Sequence, residues 1–440
     1  MLQLQAKLRV LQIIPENDEQ LQFLSTIYLT DDEMADFWEP PTRINETIYV
    51  MIHPGFMDKF DQLLENKSIS YHVEMNDFAQ YLQGKQEMIM RRNKLFDNER
   101  WLWDAYIRNS NIFLGDYHSY DDIIRWLKDL ERRYHKIVTV INIGTSAEKR
   151  IIYGVKLGTK NNKSKPVVWI DGGIHAREWV AVHTALYLIK QLIIQYYSNQ
   201  KITEYLRLLD IYIIPCLNPD GYEYTRSNPN DPSIRLWRKN RGLTQHYENN
   251  RKRYCQGVDL NRNFGFHFGE SGSSFSPCSN IYHGSYAFSE PETKAIRDAI
   301  LRLNGRIKAY LSLHTYSQLW IYPYSHAKNT YSSDVNDLIA VAHDAVNSIK
   351  KLYGTKYDYG TGPEVIYAFS GGSSDWVKQA TSAKYSYIIE LRPSKSSANG
   401  FVVDKRELIP IGRETYEGIK VVIDKVIAED KQKMWYDYLY

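Results

Sequence analysis

The sequence predicts an α/β fold with a mixed, mostly parallel sheet covered by helices on both faces, preceded by a small α+β domain with an antiparallel sheet. From about residue 119 onward, strands of continuous apolar character alternate with helices, which is typical of sheets buried on both faces. The first hundred residues instead follow the order strand, helix, strand, strand, helix, strand. The 440 residues suffice for two domains, and we divide them into residues 1–100 and 101–440.

The elements of the first region can be placed one by one. RVLQIIP is predicted to be a strand, and NDEQLQFLSTIY a helix that begins at Asn17 and Asp18. DEMADFWEPP and TIYVMIHP are predicted to be two strands around a proline turn, followed by a helix at MDKFDQLLENK and a strand at SISYHVEM. A helix capped by Asn76 then continues into charged, polar residues, so we expect residues 91–108 to form an exposed connector.

The second region begins with an amphipathic helix, SYDDIIRWLKDLERRYH, with Ser119 as its N-cap. Strands are predicted at IVTVINIG, IIYGVKLG, PVVWID, LDIYIIP, RIKAYLSLH and YSYIIEL. Helices are predicted to begin at Trp179, Glu290 and Asp334, and a last one at about Glu407. If the strands are parallel, their carboxyl ends lie along one edge of the sheet, where α/β proteins bind ligands.

The composition excludes several classes of protein. The chain is 43% hydrophobic and 24% charged, which is ordinary for a soluble globular protein. Its net charge of +3 is too small to indicate a nucleic-acid or membrane-surface partner, and we expect neither. No apolar run reaches the roughly 18 residues that a membrane-spanning helix needs. The opening residues, MLQLQAKLRVLQII, contain charges and no small-residue cleavage site, so they do not predict a signal peptide.

Three cysteines bear on the cellular compartment. Cys255 and Cys278 lie 23 residues apart in a loop-like stretch, whereas Cys216 lies in the apolar segment IYIIPCLNP. We interpret them as one disulfide and one buried thiol, with three free thiols of an intracellular protein as the alternative. Three N-glycosylation sequons favour secretion.

Two H-x-x-E pairs are candidates for a metal site. One is His175 with Glu178 in IHAREW, and the other is His267 with Glu270 in FGFHFGES. Because one such match is expected by chance in a chain of this length, the pattern alone is weak. The first pair directly follows the strand PVVWID, whereas the second lies in a glycine-rich loop. We therefore interpret the first pair as functional and His267 as structural.

Two further polar side chains end predicted strands. His314 closes RIKAYLSLH and Glu390 closes YSYIIEL. Two His and one Glu form a suitable set for catalytic zinc, which takes three protein ligands and leaves a fourth position to water. Glu390 would then be free to take and return a proton, while an ion pair with Arg392 is its alternative role.

Loop arginines extend the candidate site. RLWRKNR and GVDLNRNF supply Arg238, Asn261 and Arg262. Arginine binds carboxylates through two parallel hydrogen bonds, so these residues are candidates for binding an acidic group. Solvated surface charge is the alternative for each arginine.

Several ordered motifs together resemble the pancreatic-type (A/B) zinc metallocarboxypeptidases: GIHAREW, LWRK, GVDLNRNF, LSLHTYSQLWIYPYS, IYAFSGGSSDW and YSYIIELR. The resemblance extends over nearly the whole chain, and residues 8 to about 100 resemble that family's inhibitory propeptide. It implies a secreted proenzyme with the family's catalytic fold, one zinc ion and the family's Cys255–Cys278 disulfide. It further implies release of single residues from peptide or protein C-termini after activation by a trypsin-like protease. We expect a monomer.

The resemblance assigns roles to individual positions. The zinc ligands would be His175, Glu178 and His314. The catalytic residues would be Glu390, as general base and then general acid, and Arg238, which would stabilise the oxyanion. The substrate-binding residues would be Asn261, Arg262, Tyr367, Arg177, Tyr316 and Ser374. Of these, Asn261, Arg262 and Tyr367 would hold the terminal carboxylate.

The preferred C-terminal residue depends on the base of the side-chain pocket, which corresponds to Ser374. Relatives that prefer Lys and Arg have an Asp there, and those that prefer apolar residues have an Ile or similar. Ser325 and Gly362 resemble the basic-specific branch. A buried ammonium without a partner costs several kcal/mol, so we predict a preference for uncharged, apolar or aromatic residues unless Glu364 or Asp375 turns inward.

The sequence departs from the family at two positions, and there are three alternatives to the predicted function. Phe369 stands where relatives have a small residue and would limit the largest side chains, and Pro393 follows Arg392 at a site where relatives carry a non-proline cis peptide. A Lys/Arg-specific B-type enzyme, a silent peptide-binding homologue and a hydrolase of N-acyl amino acids are the alternatives. The silent homologue would tolerate loss of a zinc ligand or of Glu390, and all four residues are present.

Overall fold

The structure is a computed structural model. It describes residues 8–30, 34–85, 112, 114–160, 164–248, 251–303, 305–398 and 400–439, with the side chains of 244–254 and 433–439 left out. All of the predicted connector (residues 91–108), including Arg91, Arg92 and Arg100, lies outside the described residues.

In its described part, the N-terminal region forms a four-stranded antiparallel sheet with three helices packed on it. Its strands are β1 (Arg9–Ile13), β2 (Ala35–Phe37), β3 (Ile48–Ile52) and β4 (Tyr71–Met75), in the sheet order β2-β3-β1-β4. Its helices are α1 (Asp18–Thr30), α2 (Met57–Asn66) and α3, described over 78–85. The predicted order of elements is confirmed, but Asp77 rather than Asn76 accepts the backbone N–H of Gln80 at the start of α3.

The second region is built on an eight-stranded mixed sheet. Its strands are β5 (Val138–Thr145), β6 (Ile151–Leu157), β7 (Val167–Gly172), β8 (Asp210–Ile214), β11 (Ile307–Ser317), β12 (Leu319–Ile321), β13 (Asp358–Gly360) and β14 (Tyr385–Ser394). The sheet order is β13-β12-β14-β11-β7-β8-β6-β5, and the central strands from β14 to β8 are parallel. A separate hairpin consists of β9 (Leu243–Glu248) and β10 (Arg251–Gln256), which were not predicted.

Helices cover both faces of this sheet, as predicted. They are α4 (Tyr120–Arg133), α5 (Trp179–Tyr196), α6 (Gln200–Leu208), α7 (Pro219–Ser227), α8 (Pro232–Arg235), α9 (Pro291–Leu301), α10 (Val335–Tyr353), α11 (Gly362–Val365), α12 (Ser373–Ala380) and α13 (Leu408–Leu439). In β7, Val168 and Ile170 pack in the core with α5, whereas Val167 and Trp169 pack in the core with α9. Because both faces of the strand are buried, its sequence is apolar throughout.

Three predicted local features can be compared with the structure. The N-cap Ser119 accepts the backbone N–H of Asp122. Cys255 and Cys278 form a disulfide, and Cys216 is a buried free thiol. The Arg392–Pro393 peptide bond is cis. In the described part of the chain, every helix is too short or too polar to cross a membrane.

The parallel strands bring the predicted functional residues to one edge of the sheet. In the pairing of β11 with β14, His314 lies directly opposite Glu390. In the pairing of β11 with β7, Leu313 lies opposite Gly172, the last residue of β7. The carboxyl end of β7 therefore lies next to His314 and Glu390, and the site forms at this edge of the sheet.

Candidate active site

His175 and Glu178 lie in the short segment that links β7 to α5. Gly173 in this segment has a φ of +64°, and a Cβ there would come within 2.6 Å of Val182, so the sharp turn requires glycine. Glu178 immediately precedes α5, and the side chains of His175 and Glu178 are both buried. The turn thus holds both side chains beyond the carboxyl end of β7.

His314, near the end of β11, completes a group of three metal-ligand candidates. Its Nδ1 atom lies 3.1 Å from Oε2 of Glu178 and 3.2 Å from Nδ1 of His175. Nδ1 of His175 lies 2.7 Å from Oε1 of Glu178, and the ligand atoms of the three residues are within 4.8 Å of one another. Two imidazole nitrogens and a carboxylate are donors that catalytic zinc takes.

A second layer of residues fixes the orientation of the two imidazoles. The outer nitrogen of His175, Nε2, lies 3.1 Å from Oδ1 of Asp259. The outer nitrogen of His314, Nε2, lies 3.2 Å from Oγ of Ser312, whose hydroxyl donates to Asp171. Because these partners engage the Nε2 atoms, both Nδ1 atoms are directed at Glu178, which is the support that metal-binding histidines typically have. The residues therefore fit a metal ion.

Glu390 faces the same cavity as these three residues. Burial raises the pKa of its carboxyl to about 8, although the charges of His314 and Arg238 oppose the shift. The alternative ion pair with Arg392 is absent, since that guanidinium binds Glu407 and Glu414 instead. Glu390 is therefore a partly buried carboxyl group directed at the candidate metal site.

Arg238 is anchored by Asp259, the residue that also orients His175. Its Nε and Nη2 atoms donate to Oδ2 of Asp259 at 3.0 and 2.9 Å. Its Nη1 atom lies 4.0 Å from Oε1 of Glu178. Although burial opposes the charged form, Asp259 raises the pKa of Arg238. The side chain is thus a fixed cation beside the candidate metal ligands.

A second positively charged part of the cavity consists of Arg262 with its neighbours Asn261 and Tyr367. Arg262 is only 1% exposed, and its guanidinium donates to the carbonyl oxygens of Gly272 and Asn261 and to the hydroxyl of Tyr367, the last at 2.9 Å. The side-chain oxygen of Asn261 accepts the N–H of Ser373. The Nη1 atom of Arg262 also lies 3.9 Å from Oδ2 of Asp259, which Arg238 contacts as well, so two guanidinium groups share one carboxylate and can bind a further one.

The candidate pocket for the C-terminal side chain of a substrate differs from the prediction at its base. Its wall is apolar and consists of Ile321, Ile366, Phe369 and Ile388. The ring centroid of Phe369 lies 4.8 Å from the guanidinium carbon of Arg262. Ser374 is buried and does not line the cavity, because its hydroxyl pairs with that of Ser386 at 2.9 Å.

The two acidic residues near this pocket are engaged elsewhere. The carboxylate of Glu364 accepts the N–H of Thr361 and the hydroxyl of Tyr331. The carboxylate of Asp375 accepts the N–H of Ser325 at 2.7 Å. Neither residue lines the cavity, so neither supplies a counter-ion to it.

The N-terminal region contacts the site directly, which sequence reasoning did not assign to individual residues. Arg177 is buried and forms an ion pair with Asp36, with Nη1 to Oδ2 at 2.9 Å. Trp38, Glu39 and Pro40 line the same cavity as Glu390. The segment that follows β2 therefore lies across the opening of the cavity.

Glu39 is a buried carboxyl group at this contact. It accepts the hydroxyl of Ser317 at 2.8 Å, and its Oε2 atom lies 4.0 Å from Nζ of Lys395. Burial raises its pKa to about 7, although Lys395 and Ser317 lower it. Tyr316, another predicted substrate-binding residue, is buried beneath this contact with its ring 5.1 Å from that of Phe401.

The structure thus brings ten of the eleven predicted site residues to the cavity or its rim, and Ser374 is the exception. The rejected pair, His267 and Glu270, forms a separate partly exposed contact with Nδ1 to Oε2 at 2.7 Å. Sequence reasoning missed Asp259, although its place two residues before Asn261 in GVDLNRNF was an available signal. It also missed Ser312, for which the sequence offers no comparable signal.

Comparison with known proteins identifies the family that the chain resembles. Residues 123–418 match the family model of zinc carboxypeptidases, and residues 11–84 match that of the carboxypeptidase activation peptide. Carboxypeptidase A2 of Mus musculus is 34% identical over 418 residues, which cover 95% of this chain and 93% of the relative. Carboxypeptidase B of Astacus astacus is 41% identical over 310 residues, or 70% of this chain and 97% of the relative.

A solved structure has the same arrangement of both regions. The crystal structure of thrombin activatable fibrinolysis inhibitor superposes with a TM-score of 0.80 at 30% identity, covering 96% of this chain and 99% of that one. The predicted fold class and the predicted family resemblance are both confirmed. The chain belongs to the zinc carboxypeptidase family, as a hydrolase that carries an activation peptide.

Proposed function

We propose that this protein is the secreted, monomeric zymogen of a zinc exopeptidase that releases single, uncharged residues from peptide C-termini. The observation that carries the proposal is that a single cavity contains two functional parts. One part holds the ligand candidates and Glu390, and the other holds the buried guanidinium of Arg262. When the terminal carboxylate of a peptide lies beside the second part, its last peptide bond would lie beside the first. An enzyme that cleaves this bond is an exopeptidase.

His175, Glu178 and His314 would hold one zinc ion per chain. When bound, zinc supplies a positive charge that polarises a carbonyl group and acidifies water. Glu390 would accept a proton from the attacking water and then return it to the leaving amine, a role that suits a partly buried carboxyl group directed at the candidate metal site. Arg238 would donate an Nη1–H to the developing oxyanion, since its Nε and Nη2 atoms already donate to Asp259.

Three residues would select a free C-terminus. The guanidinium of Arg262 would bind the terminal carboxylate, with help from the amide of Asn261 and the hydroxyl of Tyr367. Arg177 and Tyr316 would contact the residues that precede the scissile bond.

A peptide with a C-terminal amide tests this selection. We expect such a peptide to be cleaved at least about tenfold more slowly than the matched free acid, because the amide cannot form a charge-assisted pair with Arg262. The measurement is kcat/KM for both peptides with the enzyme after cleavage of its connector. Equal rates would remove Arg262 from this role and would favour an endopeptidase.

The apolar wall supports the preference for uncharged C-terminal residues. Ile321, Ile366, Phe369 and Ile388 offer no counter-ion, and Glu364 and Asp375 are engaged elsewhere. Burial of an apolar side chain contributes roughly 1.5–3 kcal/mol without a partner. Phe369 would limit the largest side chains.

Ser374→Asp is expected to shift the preference towards Lys and Arg. Ser374 lies behind the apolar wall, where its hydroxyl pairs with that of Ser386, so an Asp there would place a negative charge next to the pocket and attract a cationic side chain. A panel of peptides that differ only in the last residue measures the shift, with Ser374→Asn as the uncharged control. A wild-type enzyme that releases Lys or Arg ten times faster than Leu and Phe would support the B-type alternative instead.

The zymogen would consist of an inhibitory domain over residues 1–100, with the connector, and a catalytic domain over 101–440. A trypsin-like protease would cut the connector, for which Arg100 is the first candidate and Arg91 and Arg92 are the next. The Cys255–Cys278 disulfide supports secretion, because such bonds persist in oxidising compartments.

The affinity of the N-terminal domain for the catalytic domain is expected to fall as pH rises through about 7. The pKa of Glu39 is raised at the contact, so its stabilising contribution is present below the ordinary value of 4.5 and is lost as pH passes about 7. After the connector is cut, gel filtration at pH 6 and pH 8 measures how much N-terminal domain remains bound. Glu39→Gln should remove this pH dependence, and an unchanged dependence in the variant would contradict the prediction.

A further inference from the structure

We propose that the catalytic domain carries a subsite for acidic residues upstream of the scissile bond, centred on Lys395. The inference rests on the proposed peptidase function and adds a substrate preference to it. Lys395 lies in the segment that follows β14, five residues after Glu390. It was not among the residues to which the sequence motifs assign a role.

The partners of Lys395 come from the N-terminal domain. Its Nζ atom lies 2.6 Å from Oε2 of Glu46 and 4.0 Å from Oε2 of Glu39. The neighbouring carbonyl oxygen, that of Ser396, accepts the hydroxyl of Tyr49 at 3.2 Å. The segment that carries Lys395 is therefore covered by the N-terminal domain.

The segment that carries Lys395 lies beside the cavity, although Lys395 itself does not line it. It leads to Phe401, which lines the cavity and whose ring centroid lies 4.0 Å from the guanidinium carbon of Arg177. Glu39, which lies beside Lys395, lines that cavity as well. A peptide whose last residue occupies the apolar pocket and whose scissile bond lies at Glu390 would leave the cavity along this rim.

The charges on the two sides of this contact are complementary. Within the described ranges, the carboxylates that lie within 4.0 Å of Lys395 or of the Arg177 guanidinium belong to Asp36, Glu39 and Glu46. All three leave the rim when the N-terminal domain is removed, and two cations remain there. Acidic side chains of a substrate would take the places of these carboxylates. The carboxylates of the propeptide therefore indicate that the rim accepts acidic peptides.

Peptides that differ by one charge test the subsite. The cut enzyme is assayed on peptides with the same C-terminal Leu, in which one residue upstream of the scissile bond is Glu or Gln. We expect kcat/KM to be about two- to fivefold higher for the Glu peptide at one or more of these positions, the size of an exposed ion pair. The ratio should fall as salt is added, since exposed charge pairs are screened.

Variants of Lys395 assign the effect to this side chain. In Lys395→Gln, the ratio of kcat/KM for the Glu peptide to kcat/KM for the Gln peptide should fall to about one. In Lys395→Glu, the Glu peptide should be cleaved more slowly than the Gln peptide, and a peptide with Lys at that position should be cleaved faster. Lys308→Gln is the matched control, because Lys308 lies at the amino end of β11, away from the rim, and should leave the ratio unchanged.

Two outcomes would overturn the subsite. One is a wild-type ratio near one at every upstream position, and the other is a ratio that survives in Lys395→Gln. Either result leaves the peptidase proposal standing, because the Gln peptide is still cleaved. Failure of the cut wild-type enzyme to release Leu from any peptide would instead be a failure of the proposed function.

Discussion

Glu390→Gln is expected to lower the turnover of peptides by about 10²–10⁴-fold while zinc content and peptide binding are retained, because the amide cannot accept the proton of the attacking water. The side chain faces the cavity from within β14, opposite His314, and does not contact Arg392. The substitution preserves size and removes only the basic oxygen, so the fold should not change. Rate and zinc content are measured on the same preparation.

Glu270→Gln serves as the matched control. Glu270 is exposed, pairs with His267 and lies outside the cavity, so this variant should keep the wild-type rate. If Glu390→Gln retains more than about a tenth of the wild-type rate, Glu390 is not the general base. If it loses zinc as well as activity, the residue acts through metal binding instead.

Cutting the connector is expected to raise activity towards peptides by about tenfold or more, which corresponds to removal of at least about 1.4 kcal/mol of inhibition. In the uncut chain the segment from Asp36 to Pro40 lies across the cavity, and Asp36 holds Arg177 in a buried ion pair. A peptide must displace these contacts before it reaches Glu390. Activity towards one peptide is compared before and after limited trypsin treatment.

Two variants separate cleavage from release. Replacing all five basic residues of the connector, Arg91, Arg92, Lys94, Arg100 and Arg108, with Gln should prevent activation by trypsin if the connector is the site of cutting. Asp36→Asn in the uncut chain should give partial activity, because the ion pair with Arg177 is lost while Trp38 still covers the cavity. An uncut chain that hydrolyses peptides as fast as the cut one would refute the inhibitory role of the N-terminal domain.

The sequence predicted those features that depend on neighbours along the chain. Apolar runs identified the buried strands, and polar residues at their ends identified His175, His314 and Glu390. Helix starts at Ser119, Glu290 and Asp334 were placed within one residue, because caps and prolines act locally. The hairpin of β9 and β10 was missed because its sequence, rich in charged and polar residues, lacks the apolar alternation that marks a strand.

Only the tertiary structure decided which side chains meet across long stretches of sequence. Asp36 and Arg177 are 141 residues apart, and neither sequence segment indicates that they form an ion pair. Ser374 was placed in the cavity by its motif, but a hydroxyl from β14, that of Ser386, holds it behind the wall. By itself the sequence determined the family, the long strands and helices, and most of the candidate catalytic groups, but not the short strands β12 and β13 or the helices α6, α7, α8, α11 and α12. Packing between distant segments decided their partners, because hydrogen bonds and ion pairs depend on distance in space and leave no periodic pattern along the chain.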